Sequence, residues 1–154
     1  MMNTMDADPL KSLPKVVAWL GYGGLLPFVF VALAAILDEN HASEWTQALQ
    51  AYGAIILSFV GALHWGFAMN LPELGHKARS FAFVWSVVPA LIAWPALLVA
   101  PVLAVPLLIS GFIANYVRDR HLSRCADLPS WYLPLRLRLT CVACACLSTG
   151  LILS

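Results

Sequence analysis

Apolar residues along this chain come in long runs separated by short polar stretches, and those runs predict its elements before any motif does. Five are long enough to matter, at about 16–37, 48–69, 81–99, 102–117 and 135–154. A helix needs about 20 apolar residues, with a range of roughly 17–25, to cross the hydrocarbon of a bilayer. The fourth run is short and follows the third after Ala100 and Pro101. The fifth reaches full length only if Arg136 and Arg138 extend their guanidinium groups to the headgroups, as long basic side chains near helix ends do. An open strand would leave backbone groups unpaired in lipid. The expected fold is therefore an all-α membrane protein, a bundle of five transmembrane helices forming one domain over 16–154, behind a cytoplasmic tail at 1–15.

Composition agrees. Of 154 residues, 61% are hydrophobic and 11% charged, too few charges to cover a soluble surface of this size. The net charge of +1 gives no electrostatic footprint for nucleic acid. The placement of charge is more informative than its sum. Lys11 and Lys15 precede the first run, Lys77 and Arg79 lie between the second and third, and Arg118, Arg120, Arg124, Arg136 and Arg138 lie between or beside the fourth and fifth. With alternating spans, all 9 Lys and Arg fall on one side, whereas the first loop holds only Asp38, Glu39 and Glu44. The positive-inside rule then puts the N-terminus in the cytoplasm and the C-terminus in the periplasm. A cleavable signal peptide fits poorly, because the first run is longer than an h-region and Asp6 and Asp8 precede it. That acidic start also lacks the look of a mitochondrial presequence, so the expected location is a bacterial inner membrane, crossed several times.

One ionisable residue sits deep in a run. On a helix, Gln50, Gly53, Leu57, Gly61, His64 and Ala68 share an arc of about 80°. Small residues on that arc let a second helix approach closely, so Gly53 and Gly61 are expected packing positions and His64 faces the bundle interior. The plainer reading of His64 is a hydrogen bond to a neighbouring helix; the functional reading is a ligand- or proton-binding imidazole. The polar groups able to assist it gather on the basic side: Trp65 and Trp85 nearby, then Asn115, Tyr116, Asp119 and Arg136. Asn115 and Asp119 share a helix face at i,i+4, and Asp119 can pair with Arg118 or Arg136. Trp131 and Tyr132 read as an interfacial aromatic belt.

Other features add less. Cys141 and Cys144 form a C-x-x-C in the fifth run without a second ligand pair, so they read as packing residues and no metal is expected. Pro27, Pro89, Pro95 and Pro106 are expected to kink spans and free carbonyls for Ser or Thr to satisfy, with Pro89 and Pro95 bending the third span toward a cavity.

The blocks "YGAIILSFVGALHWG" (52–66), "SVVPALIAW" (86–94) and "DLPSWYLPLRLRLT" (127–140) resemble the bacterial domain-of-unknown-function family 3429 (DUF3429), whose eukaryotic relative is mitochondrial transmembrane protein 69. The resemblance implies a multi-span inner-membrane protein near respiratory membranes and supplies no catalytic residue. The function expected from the residues is non-enzymatic binding of a hydrophobic ligand, a quinone or a lipid, or of a respiratory-chain partner or a second copy of the chain. His64, Trp65 and Trp85 would line the pocket, and Asn115, Tyr116, Asp119 and Arg136 would form its polar mouth. A small transporter or oligomeric channel is the first alternative, although no inverted repeat is visible. A membrane enzyme, or a dimer holding haem through one His64 per chain, is the second. No cofactor is named by the sequence.

Overall fold

The computed structural model describes residues 12–152, and every described element is helical. In chain order these are α1 (Lys15–Gly23), α2 (Leu26–Leu37), α3 (Ala42–Asn70), α4 (His76–Ala96), α5 (Pro101–Leu122) and α6 (Tyr132–Ile152), with a 3₁₀ turn at Glu39–His41 between α2 and α3. They form 5 helical stretches long and apolar enough to cross a membrane, α1 and α2 together making the first. Lys11 and most of the expected tail, like the last two residues of the fifth run, lie outside the described residues.

The helix bounds depart from the apolar runs for physical reasons. The second span begins at Ala42 rather than 48, and the buried Thr46 continues its inner face outward. The third begins earlier and ends at Ala96, where Pro95 is followed by a tight turn with Leu98 N–H donating to the Pro95 carbonyl at 3.0 Å. Pro101 then opens α5 at a position whose N–H has no helical partner in any case. The fourth span runs on to Leu122, through Arg118 and Arg120, because helical backbone remains self-satisfied beyond the hydrocarbon. The fifth begins at Tyr132.

The first span is broken. Gly23 ends α1 and α2 restarts at Leu26, with Pro27 in its first turn. Pro27 has no N–H to offer the carbonyl four residues back. The neighbouring Gly24 carbonyl accepts a hydrogen bond from the Tyr52 hydroxyl at 2.8 Å, so a tyrosine of α3, rather than a Ser or Thr, satisfies the break.

α3 is the central element and packs against α2, α4, α5 and α6. Its buried face includes Gln50, Gly53, Leu57, Gly61, His64 and Ala68, the arc expected from the sequence. Close approach is real at Gly61, where an added Cβ would lie 2.5 Å from Pro89 Cγ. Pro89 therefore fills the notch over Gly61 and does not open a cavity there. Gly111 of α5 plays the same part against Leu57, at 2.6 Å. Large apolar side chains such as Leu20, Phe30, Phe59, Leu91, Trp94 and Leu103 point outward, which suits lipid as the surrounding solvent.

Candidate functional site

Three helices deliver polar side chains to one point inside the basic end. Asp119 comes from α5, one turn after Asn115 on the same face, and both are 0% exposed. Tyr132 and Arg136 come from the first turns of α6. His64 comes from α3 and is 1% exposed.

Asp119 is the hub. The Tyr132 hydroxyl donates to Oδ1 at 3.0 Å, and Arg136 Nε donates to Oδ2 at 2.8 Å. His64 Nε2 stands 3.5 Å from Oδ1, near enough for electrostatic contact but without an aligned hydrogen bond. Edge-on aromatic contacts tie the group together, since Phe67 meets His64 at 6.0 Å and Tyr132 at 5.6 Å between centroids. Leu74, Leu122 and Ala126 form a small apolar plug at this end, packed by Phe67 and Leu71. A lone carboxylate buried this deeply would be prohibitively costly; a charge-assisted pair with its second oxygen also bonded can persist.

Of the two partners open to Asp119 in the sequence, the structure uses Arg136. Arg118 turns instead onto aromatic faces, its guanidinium carbon 4.0 Å above the Phe81 ring centroid and 5.6 Å from Trp85. Trp85 is half-buried and donates from Nε1 to Asn115 Oδ1 at 3.1 Å, which fastens α4 to α5. Arg138 points outward, 3.3 Å from the Tyr22 hydroxyl, as expected of a residue reaching for headgroups. Arg136 does the opposite and turns inward.

Not every expected site residue joins this cluster. Trp65 is 51% exposed and packs edge-on against Phe83 on the outer surface, because it follows His64 by one position and so lies about 100° around the helix. Tyr116 is half-buried, one position away from the Asn115 and Asp119 face. Conversely, Tyr132 was legible only as an interfacial aromatic, yet it is a direct partner of Asp119. Its i,i+4 spacing to Arg136 was the available signal.

Arg136 also reaches a second environment. A pocket of about 110 Å³ lies at the break in the first span, between α1, α2, α3 and α6, with Phe112 of α5 also in its lining. Gly21, Gly24 and Phe28 line one wall, Ile56 and Val60 another, and Arg136, Thr140 and Ala143 a third. Its rim includes Leu20 and Phe59, both on the lipid-facing surface. Among the described residues Arg136 is the charged member of this lining, 6% exposed, and its Nη2 has no hydrogen-bond partner. His64, Trp65 and Trp85 are absent from the lining, so the pocket forms on the other side of Arg136 from the one expected. Chemically, the lining offers a cation and a hydroxyl in an apolar slot, with no imidazole, thiol or carboxylate. Among the described residues, no three His, Cys, Asp or Glu side chains converge as metal ligands.

Comparison with known proteins places this geometry in context. The family described as "Protein of unknown function (DUF3429)" matches residues 13–152. Transmembrane protein 69 of Xenopus tropicalis is 39% identical over 142 residues, covering 90% of this chain and 54% of that protein. Transmembrane protein 69 of Mus musculus is 29% identical over 137 residues, covering 87% and 54%. The chain thus spans about half the length of the curated relatives it matches. No solved structure matches it.

Proposed function

We propose that this chain, which belongs to the DUF3429 family, is a multi-pass protein of a bacterial inner membrane that binds a hydrophobic ligand, a quinone or a lipid, in the pocket on Arg136. The observation that carries this reading is the nearly buried guanidinium of Arg136 in the lining of an otherwise apolar, lipid-side slot. Ligand sites are mostly apolar with a few polar anchors. The slot is smaller than a typical site of roughly 300–1,000 Å³, so it takes one end of a ligand whose remainder stays in the bilayer. The lining places no general base beside the Thr140 hydroxyl to activate it, which favours binding over turnover.

The basic end faces the cytoplasm in this reading, with the N-terminus inside and the C-terminus in the periplasm, because the described Lys and Arg residues collect at one end of the bundle. A cysteine introduced as Asn40→Cys, with native cysteines replaced, should label from outside intact cells, whereas Lys77→Cys should stay protected. The reverse pattern would invert the orientation.

The ligand reading is tested by mass spectrometry of gently extracted protein. Wild type should retain a quinone or lipid at defined stoichiometry. Gly21→Leu, which fills the slot without touching the Asp119–Arg136 pair, should lose it at an unchanged melting temperature. Equal retention by both would remove the pocket from the account.

A further inference from the structure

We infer that the pocket on Arg136 selects an uncharged ligand with a carbonyl oxygen at its tip, and discriminates against an anionic one. This rests on reading the pocket as a ligand site, and concerns the class of ligand it admits.

An arginine in a lipid-facing slot first suggests a receptor for an anionic headgroup. The charge balance argues otherwise. The guanidinium is already engaged through Nε with Asp119 Oδ2 at 2.8 Å, and Asp119 is fully buried. Tyr132 occupies the other carboxylate oxygen at 3.0 Å, so Asp119 is held in place and cannot swing away to release Arg136. With the His64 imidazole neutral, the charges of Asp119 and Arg136 cancel. Arg118, a cation of α5 near this group, is committed to the faces of Phe81 and Trp85. A ligand anion entering the slot would therefore add an uncompensated negative charge to a low-dielectric interior, where such a charge is strongly penalised.

A neutral acceptor meets no such penalty. It needs one oxygen to accept from the Arg136 guanidinium in the lining and an apolar body to lie against Phe28, Val60 and Leu139. A quinone carbonyl and the ester carbonyl of a neutral glyceride share that chemistry. The slot's modest volume fits a ring or an ester group at its end, while the rim at Leu20 and Phe59 lets a chain pass into the bilayer.

The test compares three probes, each with a ten-carbon chain, using purified full-length protein in zwitterionic nanodiscs at about pH 8, where an ordinary imidazole is neutral. They are decylbenzoquinone, monodecanoylglycerol and decanesulfonate. Wild type should bind at least one neutral probe about tenfold or more tighter than the sulfonate, and Gly21→Leu should abolish that binding. Binding of the quinone alone identifies the source as quinones; binding of the ester identifies it as neutral lipid esters. Asp119→Asn should reverse the ranking, because Arg136 then carries an uncompensated charge; if that variant does not fold, the wild-type ranking decides. Sulfonate binding equal to or tighter than both neutral probes, and sensitive to Gly21→Leu, would overturn the inference while leaving the pocket reading intact. No binding of any probe, or binding indifferent to Gly21→Leu, would overturn both.

Discussion

At the basic end, α3, α5 and α6 meet through His64, Asp119, Tyr132 and Arg136; toward the acidic end, the same helices meet through Leu57, Leu108, Leu147 and small residues. Gly53 is typical of the second region, where an added Cβ would lie 3.0 Å from Leu147 Cδ2 and 3.5 Å from Leu108 Cδ1. Farther out, Gly150 sits beside Thr46 and Val105 in the same way. Lipid tails are as apolar as these side chains, so the acidic half gains little from burial itself and depends on fit. The basic half depends on mutual satisfaction of charge. The first kind of contact fails gradually and the second abruptly.

Removing one member of the charged group should therefore have the largest effect. Asp119→Ala leaves Arg136 buried and uncompensated, a loss of about 3–5 kcal/mol, measurable as unfolding free energy in mixed micelles. A loss no larger than that of a typical core alanine substitution would mean that water or headgroups reach Arg136 and that the two halves are less different than described.

Next is the tightest fit. Gly61→Ala places a methyl group against the rigid Pro89 ring at 2.5 Å and should cost about 1–3 kcal/mol. Gly53→Ala meets only the ends of leucine side chains and should cost less in the same assay. Equal costs would show that α3 and α4 slide apart freely, against the fit-dependent picture.

His64 sharpens the boundary between the regions. It approaches Asp119 without an aligned hydrogen bond, so His64→Gln should change stability by about 1 kcal/mol or less and leave ligand content unchanged. A loss on the scale of Asp119→Ala would make the imidazole an essential member of the group.

The smallest effect belongs to the exposed loop. The Asp38 carboxyl lies below its ordinary value of 3.8, held there by the His41 hydrogen bond and then by Trp45. A carboxyl lowered on folding stabilises above its unfolded value, and that contribution disappears as pH falls through the folded one. Asp38→Asn should thus lower the melting temperature slightly near neutral pH, with the gap to wild type closing in acid. A gap that widens in acid would contradict the sign.

Much of this molecule was legible from its residues. The five spans followed from run length, because lipid imposes helices on any apolar segment of that size. The inner arc of α3 followed from helical periodicity, and His64 with it. What escaped the sequence depends on which way a side chain turns at a helix end. Arg136 and Arg138 are two positions apart and equally able to reach headgroups, yet one pairs with Asp119 and the other lies by Tyr22. Trp65 and His64 are adjacent and face opposite environments. The pocket was not legible at all, since it arises where Gly23, Gly24 and Pro27 interrupt a run that reads as continuous.

Asp119 and Arg136 act as one buried unit. A double-mutant cycle on unfolding free energy, using Asp119→Asn, Arg136→Gln and the double variant, measures their coupling. The double variant should be at least as stable as either single one, with a coupling of about 2–3 kcal/mol, because removing both charges leaves none unpaired. Additive losses, with the double variant the least stable, would contradict it.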